Sequence, residues 1–251
     1  GKEHLYVWEM DENMVHENEA AERLYKICAN ENIYPSKEVK EGKIEAFASV
    51  DGYFQIDVDR LDEINSIGDI MIATRHSGTA VKAGDKLAGM RVIPLIVEDE
   101  KLKEAEKIFN GQPILKVTPY KLKKAGVITT GSEVYKGIIK DTFTPVIEEK
   151  LNGFGIQMTE HIVVDDGMEN IVNAINKIKT KDIDMILCTG GMSVDPDDNT
   201  PGAIKKSGAE IVTYGAPVLP GAMFLLGYYE NGMPVMGLPG CVMYAGATVF
   251  D

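Results

Sequence analysis

Thr189 to Ala203 reads TGGMSVDPDDNTPGA. Two adjacent glycines close an apolar run, and Asp195, Asp197, Asp198 and Asn199 follow a few residues later. Gly190 and Gly191 let the backbone approach a ligand closely, with N–H groups free to meet phosphate oxygens. Thr189 and Ser193 add hydroxyls to the same loop. Carboxylates from Asp165, Asp166, Asp195, Asp197 and Asp198 would hold Mg²⁺, a hard ion that takes few carboxylates plus substrate phosphates. Without such a cation they repel one another and resist ionisation. A purely structural explanation stands beside this one, since Asp and Asn in loops cap helices and close Asx turns. Asp198 precedes NTPGA, and Asp165–Asp166 precede a helical pattern that begins near Met168, so capping remains open at both places.

Other chemistries fail on spacing. DPDDNT opens like a calcium loop at Asp195, but Thr200 stands where that loop needs Gly and Lys206 where it needs Glu. GMSVD ends on Asp195 where a nucleophile elbow requires Gly, and His161 is the single histidine of this half. GFGIQM at Gly153 follows a helix rather than a strand and has no third glycine, so it reads as a helix stop. No G-x-x-x-x-G-K-[ST] loop occurs.

The elements that must position these residues follow from periodicity. From Lys121 onward strands alternate with helices: KAGVITTGSE, then a helix with Phe143, Val146, Ile147 and Leu151 on one face and Gly153 as its stop. IQMTEHIVVDD is a strand, and MENIVNAINKIKT is a helix presenting Ile171, Ala174, Ile175 and Ile178. DIDMILCTGG is a strand buried on both faces by its continuous apolar character. AEIVTYGAPV and MPVMGLPG add strands, and VMYAGATVF opens another helix. Such alternation predicts an α/β fold with a mostly parallel sheet flanked by helices. In such sheets ligands bind beyond the carboxyl ends of the strands. Those ends are TTGSE (Thr129 to Glu133), VDDG (Val164 to Gly167), the Gly190–Gly191 loop and GLPG (Gly237 to Gly240).

Residues 1–118 read differently, as a smaller β-rich α+β module with one or two helices, followed by an α/β domain over 119–251. HENEAAERLYKICANENI is an amphipathic helix presenting Ala20, Leu24, Ile27 and Cys28. KIEAFASVDGYFQIDVD is two alternating runs joined at Asp51–Gly52, a hairpin signal. Short strands fill Asp69 to Val97, and DEKLKEAEKIFNG is a charged helix ended by Gly111.

The bulk composition narrows the partners. A formal net charge of -13 argues against non-specific binding to nucleic acid or an anionic membrane. Three widely spaced cysteines form no C-x-x-C pair, which suits a reducing cytoplasm and indicates neither a disulfide framework nor a structural zinc. GKEHLYVWEM is no signal peptide, and HLYVWEM reads as a strand. Both ends of the chain read as cut from a longer protein.

Taken together, the four loops resemble the molybdopterin-binding domain family, which includes molybdopterin adenylyltransferases, molybdotransferases and a domain of competence-damage-inducible proteins. The likeness covers most of Ala125 to Asp251 and is strongest at TGGMSVDPDDNTPGA, with TTGSE, KDTF (Lys140 to Phe143), VVDDG and GLPG in the same order. It implies a site for molybdopterin phosphate or adenylated molybdopterin with Mg²⁺, and ATP or molybdate as further substrates. On this resemblance Asp166, Asp198 and Glu133 are the catalytic candidates, with Asp166 and Asp198 as metal ligands. Thr189, Gly190, Gly191, Ser193, Asp141 and Gly240 are the candidate pterin-binding residues. It also implies a cytoplasmic transferase, commonly oligomeric. Alternatives are a nucleotide pyrophosphatase-like enzyme of the competence-damage group and a non-catalytic module with a degenerate pocket. Four departures bear on that choice: Phe143, Cys241–Val242, Ala222 and Gly202 stand where the family carries Asn, Asn-Pro, Lys and Glu.

Overall fold

The computed structural model describes residues 11–193, 195 and 197–251, and the chain divides after Tyr120 into two compact units. The strand expected at His4 to Met10 lies outside the described residues.

The first unit contains β1 (Met14–His16), α1 (Glu17–Cys28), β2 (Ile33–Pro35), β3 (Lys43–Ala48), β4 (Gly52–Ile56) and α2 (Val58–Asn65). It continues through β5 (Ile70–Thr74), β6 (Thr79–Val81), β7 (Lys86–Val92), β8 (Ile96–Glu98), α3 (Asp99–Phe109) and β9 (Leu115–Pro119). Strands order as β2-β3-β7-β5 in one sheet and β6-β4-β9 in another, with β1 paired to β8. Helix α1 buries Ala20, Ala21, Leu24, Ile27 and Cys28 and carries Glu17 and Glu19 in its first turn, where they complement the helix dipole.

Two expectations fail here. Asp51–Gly52 makes no hairpin: β3 and β4 enter different sheets. The Asp51 carboxylate instead accepts the Ala83 amide at 2.8 Å. Gly52 is required by close approach, because a Cβ there would lie 2.9 Å from the Thr118 carbonyl carbon on β9. Gly52→Ala is therefore expected to destabilise this unit by about 1–3 kcal/mol. An unchanged urea midpoint would remove that explanation for Gly52. Second, the described residues of this unit form three helices where one or two were expected. Helix α2 starts at Asp57, whose carboxylate accepts the Arg60 amide at 3.1 Å while burying Leu61 and Ile64. Helix α3 ends on Asn110, in the left-handed region at φ 45°, one residue before the expected Gly111.

The second unit contains β10 (Lys124–Thr130), the one-turn α4 (Ser132–Tyr135), α5 (Phe143–Gly153), β11 (Gln157–Val164), α6 (Met168–Ile178) and β12 (Met185–Thr189). After these come α7 (Thr200–Lys206), β13 (Glu210–Tyr214), β14 (Leu225–Tyr228) and β15 (Pro234–Leu238). The sheet order is β11-β10-β12-β15-β14-β13. β11, β10, β12 and β15 pair in parallel, and β14 runs against both its neighbours. One face packs Ile128, Ile186 and Cys188 against α6 and α7. The other packs Val127, Leu187 and Leu238 against α5 and Val242. The fold is thus the expected α/β sheet with helices on both faces.

Three details differ from expectation. Helix α5 runs through Gly153, and the left-handed residue past its end is Gly155. Strand β14 was not anticipated. The segment after GLPG forms only a 3₁₀ turn, Gly240–Met243. There Lys150 donates to the carbonyls of Ala245 and Gly246 and pairs with Asp251 at 2.6 Å, so these groups serve a side chain instead of a helix.

Candidate functional site

Parallel pairing places three loops side by side. Thr130 on β10 is level with Val164 on β11, and Thr129 is level with Thr189 on β12. Chain leaving these strands therefore emerges on one edge as Gly131, Asp165 and Gly190. Gly190 and Gly191 both adopt left-handed backbone, at φ 82° and 55°. At Gly190 a Cβ would fall 2.7 Å from Thr130 Oγ1 and still nearer the Thr130 carbonyl oxygen, and at Gly191 it would fall 2.9 Å from Thr200 Oγ1. Both positions exclude any other residue without a shift of the loop.

A cavity of about 210 Å³ opens beside this loop, lined by Thr130, Asp166, Ile171, Gly191, Asp198 and Thr200 together with Asp197 and Asn199. Thr200 Oγ1 donates to the Gly190 carbonyl at 2.8 Å and lies 3.3 Å from Thr130 Oγ1, which ties α7 to the ends of β10 and β12. Asp198 Oδ2 accepts the Ser193 amide at 2.7 Å, and Asp166 Oδ2 accepts the Ser132 amide at 2.9 Å. In each carboxylate Oδ1 has no hydrogen-bond donor among the described residues. Asn199 Nδ2 donates to the Asp166 carbonyl at 2.9 Å, joining the second loop to the third.

The capping alternative divides these acids. Asp165 serves it: Oδ1 accepts the Gly167 amide at 2.9 Å and Asn170 Nδ2 at 2.7 Å, at the start of α6. The Asn170 and Gly167 hydrogen bonds hold its carboxyl below the ordinary aspartate value, with Lys136 contributing. Asp198 does not cap α7, whose N-cap Asn199 makes no side-chain cap bond. Asp195 is exposed and outside the cavity lining.

The remaining candidates are placed elsewhere. Thr189 is fully buried on the α5 face, its Oγ1 without a hydrogen-bond partner among the described residues, so strand alternation turns it away from the cavity and gives that position to Thr130. Ser193 contributes its amide to Asp198, and its side chain is exposed. Glu133 is exposed on α4 and does not line the cavity. Gly240 is exposed, and nothing lies within 4 Å of a Cβ built there. Asn199 belongs to the polar cluster marked in the sequence, whereas Thr130 and Thr200 had no role there. Strand alternation from Ile128 marks Thr130, but no local signal marks Thr200.

Asp141 holds the start of α5. Its Oδ1 accepts the Phe143 amide at 2.9 Å and the Thr144 amide at 3.1 Å, and its Oδ2 accepts the Thr144 hydroxyl. Partial burial opposes its ionisation, but these hydrogen bonds and nearby His161 outweigh that and hold its pKa below the ordinary 3.8. With its folded pKa depressed, Asp141 stabilises the unit above the unfolded value, and that contribution is lost as pH falls through the folded value. Asp141→Ala is expected to cost about 0.5–2 kcal/mol at neutral pH, and less below pH 3.8. Equal loss at both pH values in urea unfolding would contradict this capping role.

Among the described residues no three His, Cys, Asp or Glu side chains form a group that could hold a metal ion. The cavity lining carries three carboxylates, Asp166, Asp197 and Asp198, and two of them with substrate phosphate would give a cation an all-oxygen site. That donor set suits Mg²⁺, which takes one or two carboxylates plus substrate phosphates.

The second unit is a mostly parallel α/β sheet with a glycine loop and acidic side chains at its carboxyl edge, the edge at which such sheets bind ligands. The family model described as "Probable molybdopterin binding domain" matches residues 126–251, half of the chain, and the chain belongs to that family. A CinA-like protein of Pseudothermotoga lettingae is 41% identical over 86 residues, covering 34% of this chain and 21% of that protein. Another, of Fusobacterium nucleatum, is 36% identical over 83 residues, covering 33% of this chain and 20% of that protein. The matched stretch thus spans about a fifth of these relatives' length. The molybdopterin biosynthesis enzyme MoaB of Thermus thermophilus superposes with a TM-score of 0.42 at 23% identity, covering 47% of this chain and 82% of that one. Among the described residues no helix is long and apolar enough to cross a membrane.

Proposed function

We propose that the second unit binds the phosphate end of molybdopterin, or of its adenylate, in the cavity at Gly191, and acts in molybdenum cofactor biosynthesis or handling. The supporting observation is one cavity that sets left-handed Gly191 beside the carboxylates of Asp166, Asp197 and Asp198, with Oδ1 of Asp166 and of Asp198 free of donors among the described residues. Family membership supplies the pterin.

In this reading Asp166 and Asp198 hold Mg²⁺, which when bound neutralises phosphate charge. The chain's own residues do the positioning. Gly190 and Gly191 bring backbone to the phosphate, with Thr200 and Thr130 fixing that backbone. Asp166 holds the first loop to the second through the Ser132 amide, and Asn199 holds the second to the third. Placement and charge neutralisation are what phosphoryl transfer asks of a protein, so a site of this kind suits transfer at an adenylate phosphate. Glu133, exposed on α4, would meet a bound ligand only from outside the cavity.

The likeness to CinA-like proteins supports a second reading, a nucleotide pyrophosphatase-like activity in the same cavity. Calorimetric titration with molybdopterin and with ATP, each with and without Mg²⁺, separates the two. Pterin binding strengthened by Mg²⁺ is expected. Binding of ATP alone, with AMP released, would favour the pyrophosphatase reading.

A further inference from the structure

A second cavity, of about 290 Å³, lies between α6 and β11, the strand at the sheet's edge. Ile162, Val164 and Ala174 give it an apolar floor, and the 56%-exposed ring of Tyr135 stands at one side. Its polar lining is Asp165, Asn170, Asn173 and Lys177. Asp165 and the Asn170 amide nitrogen satisfy each other. Asn173 and Lys177 lie one helical turn apart on α6, and among the described residues neither side chain has a hydrogen bond or ion pair.

This groove and the cavity at Gly191 share one hinge point: Asp165 lines the first and Asp166 the second. Through the Ser132 amide, Asp166 also anchors α4, which carries Tyr135. A ligand with phosphate at Gly190–Gly191 would reach the groove by passing over this dipeptide. An apolar floor, an aromatic ring and two unengaged polar side chains are what a flat, hydrogen-bonding ring system needs.

Resting on the function proposed above, we infer that this groove holds the planar nitrogen heterocycle of the phosphate ligand, pterin or purine, with Tyr135 against the ring and Asn173 and Lys177 reading its edge. Asn173 offers both a donor and an acceptor, and Lys177 donates to a ring carbonyl or nitrogen. All three side chains are exposed, so their replacement leaves the core intact.

The test uses the full chain and its Tyr135→Ala, Lys177→Ala and Asn173→Ala variants, titrated with molybdopterin, ATP and inorganic pyrophosphate in Mg²⁺. Loss of one aromatic contact is expected to weaken the heterocyclic ligand by roughly tenfold or more, with pyrophosphate affinity unchanged. A loss confined to molybdopterin identifies the ring as a pterin, and one confined to ATP identifies a purine. Unchanged affinity for both in all three variants, where Asp198→Ala still weakens them, would overturn the groove assignment and leave the function standing. Equal weakening of pyrophosphate would also overturn it. If the wild-type chain binds pyrophosphate but neither heterocyclic ligand, both proposals fall.

Discussion

Gly190→Ala is expected to abolish phosphate-ligand binding and to destabilise the second unit. The new methyl would meet the Thr130 carbonyl, with Thr130 Oγ1 2.7 Å away, and the backbone there sits at φ 82°. Backbone atoms on a central strand cannot yield as a flexible side chain would, so the loop itself must move. A left-handed conformation adds about 1–2 kcal/mol for a residue with a Cβ, and overpacking adds about 1–3 kcal/mol. Moving the loop also breaks the 2.8 Å bond from Thr200 to the Gly190 carbonyl. Titration calorimetry and urea unfolding read the two effects separately. A variant of wild-type affinity and stability would show that this loop conformation is unnecessary.

Asp198→Asn is the second large effect, and its direction depends on Mg²⁺. The carboxylate faces the cavity where phosphate charge is expected, so in wild type an anion and Asp198 repel each other unless a cation lies between them. Removing the charge is expected to weaken Mg²⁺-supported binding by roughly 10- to 100-fold, the scale of one lost charge-assisted interaction. Without Mg²⁺ the same substitution is expected to leave binding unchanged or strengthen it. The observable is therefore the dependence of affinity on Mg²⁺, steep in wild type and flat in the variant. The bond to the Ser193 amide can persist, because Asn also presents an acceptor oxygen. Parallel Mg²⁺ dependence in both proteins would exclude Asp198 as a metal ligand.

The alternation of strand and helix from Lys124 onward was legible because buried strands and amphipathic helices carry different periods. Met185–Thr189 is buried throughout, and α6 buries Ile171, Ala174, Ile175 and Ile178 as its spacing requires. Loop backbone was legible at Gly190 and Gly191, where residue type limits what the chain can do and both adopt positive φ, while Asp166 and Asp198 line the cavity beside them. Three kinds of information were missing. Pairing partners of a strand are non-local, so Asp51–Gly52 read as a turn between neighbours when its flanking strands join different sheets. Side-chain direction at a strand end depends on where the alternation stops, which exchanged Thr189 for Thr130. The uses of a carboxylate are set by loops that meet only in the fold: Asp165 and Asp141 close their own helix starts, while Asp166 reaches across to Ser132.

The most direct test of the central claim is amide hydrogen exchange, followed by mass spectrometry, on the full chain with and without saturating molybdopterin and Mg²⁺. Occupation of the cavity predicts slowed exchange in the segments at 130–133, 164–167 and 189–200, and a ring in the neighbouring groove adds 135 and 170–177 to them. Saturable binding that leaves these three segments as fast as in the free protein would place the pterin phosphate elsewhere and contradict the account.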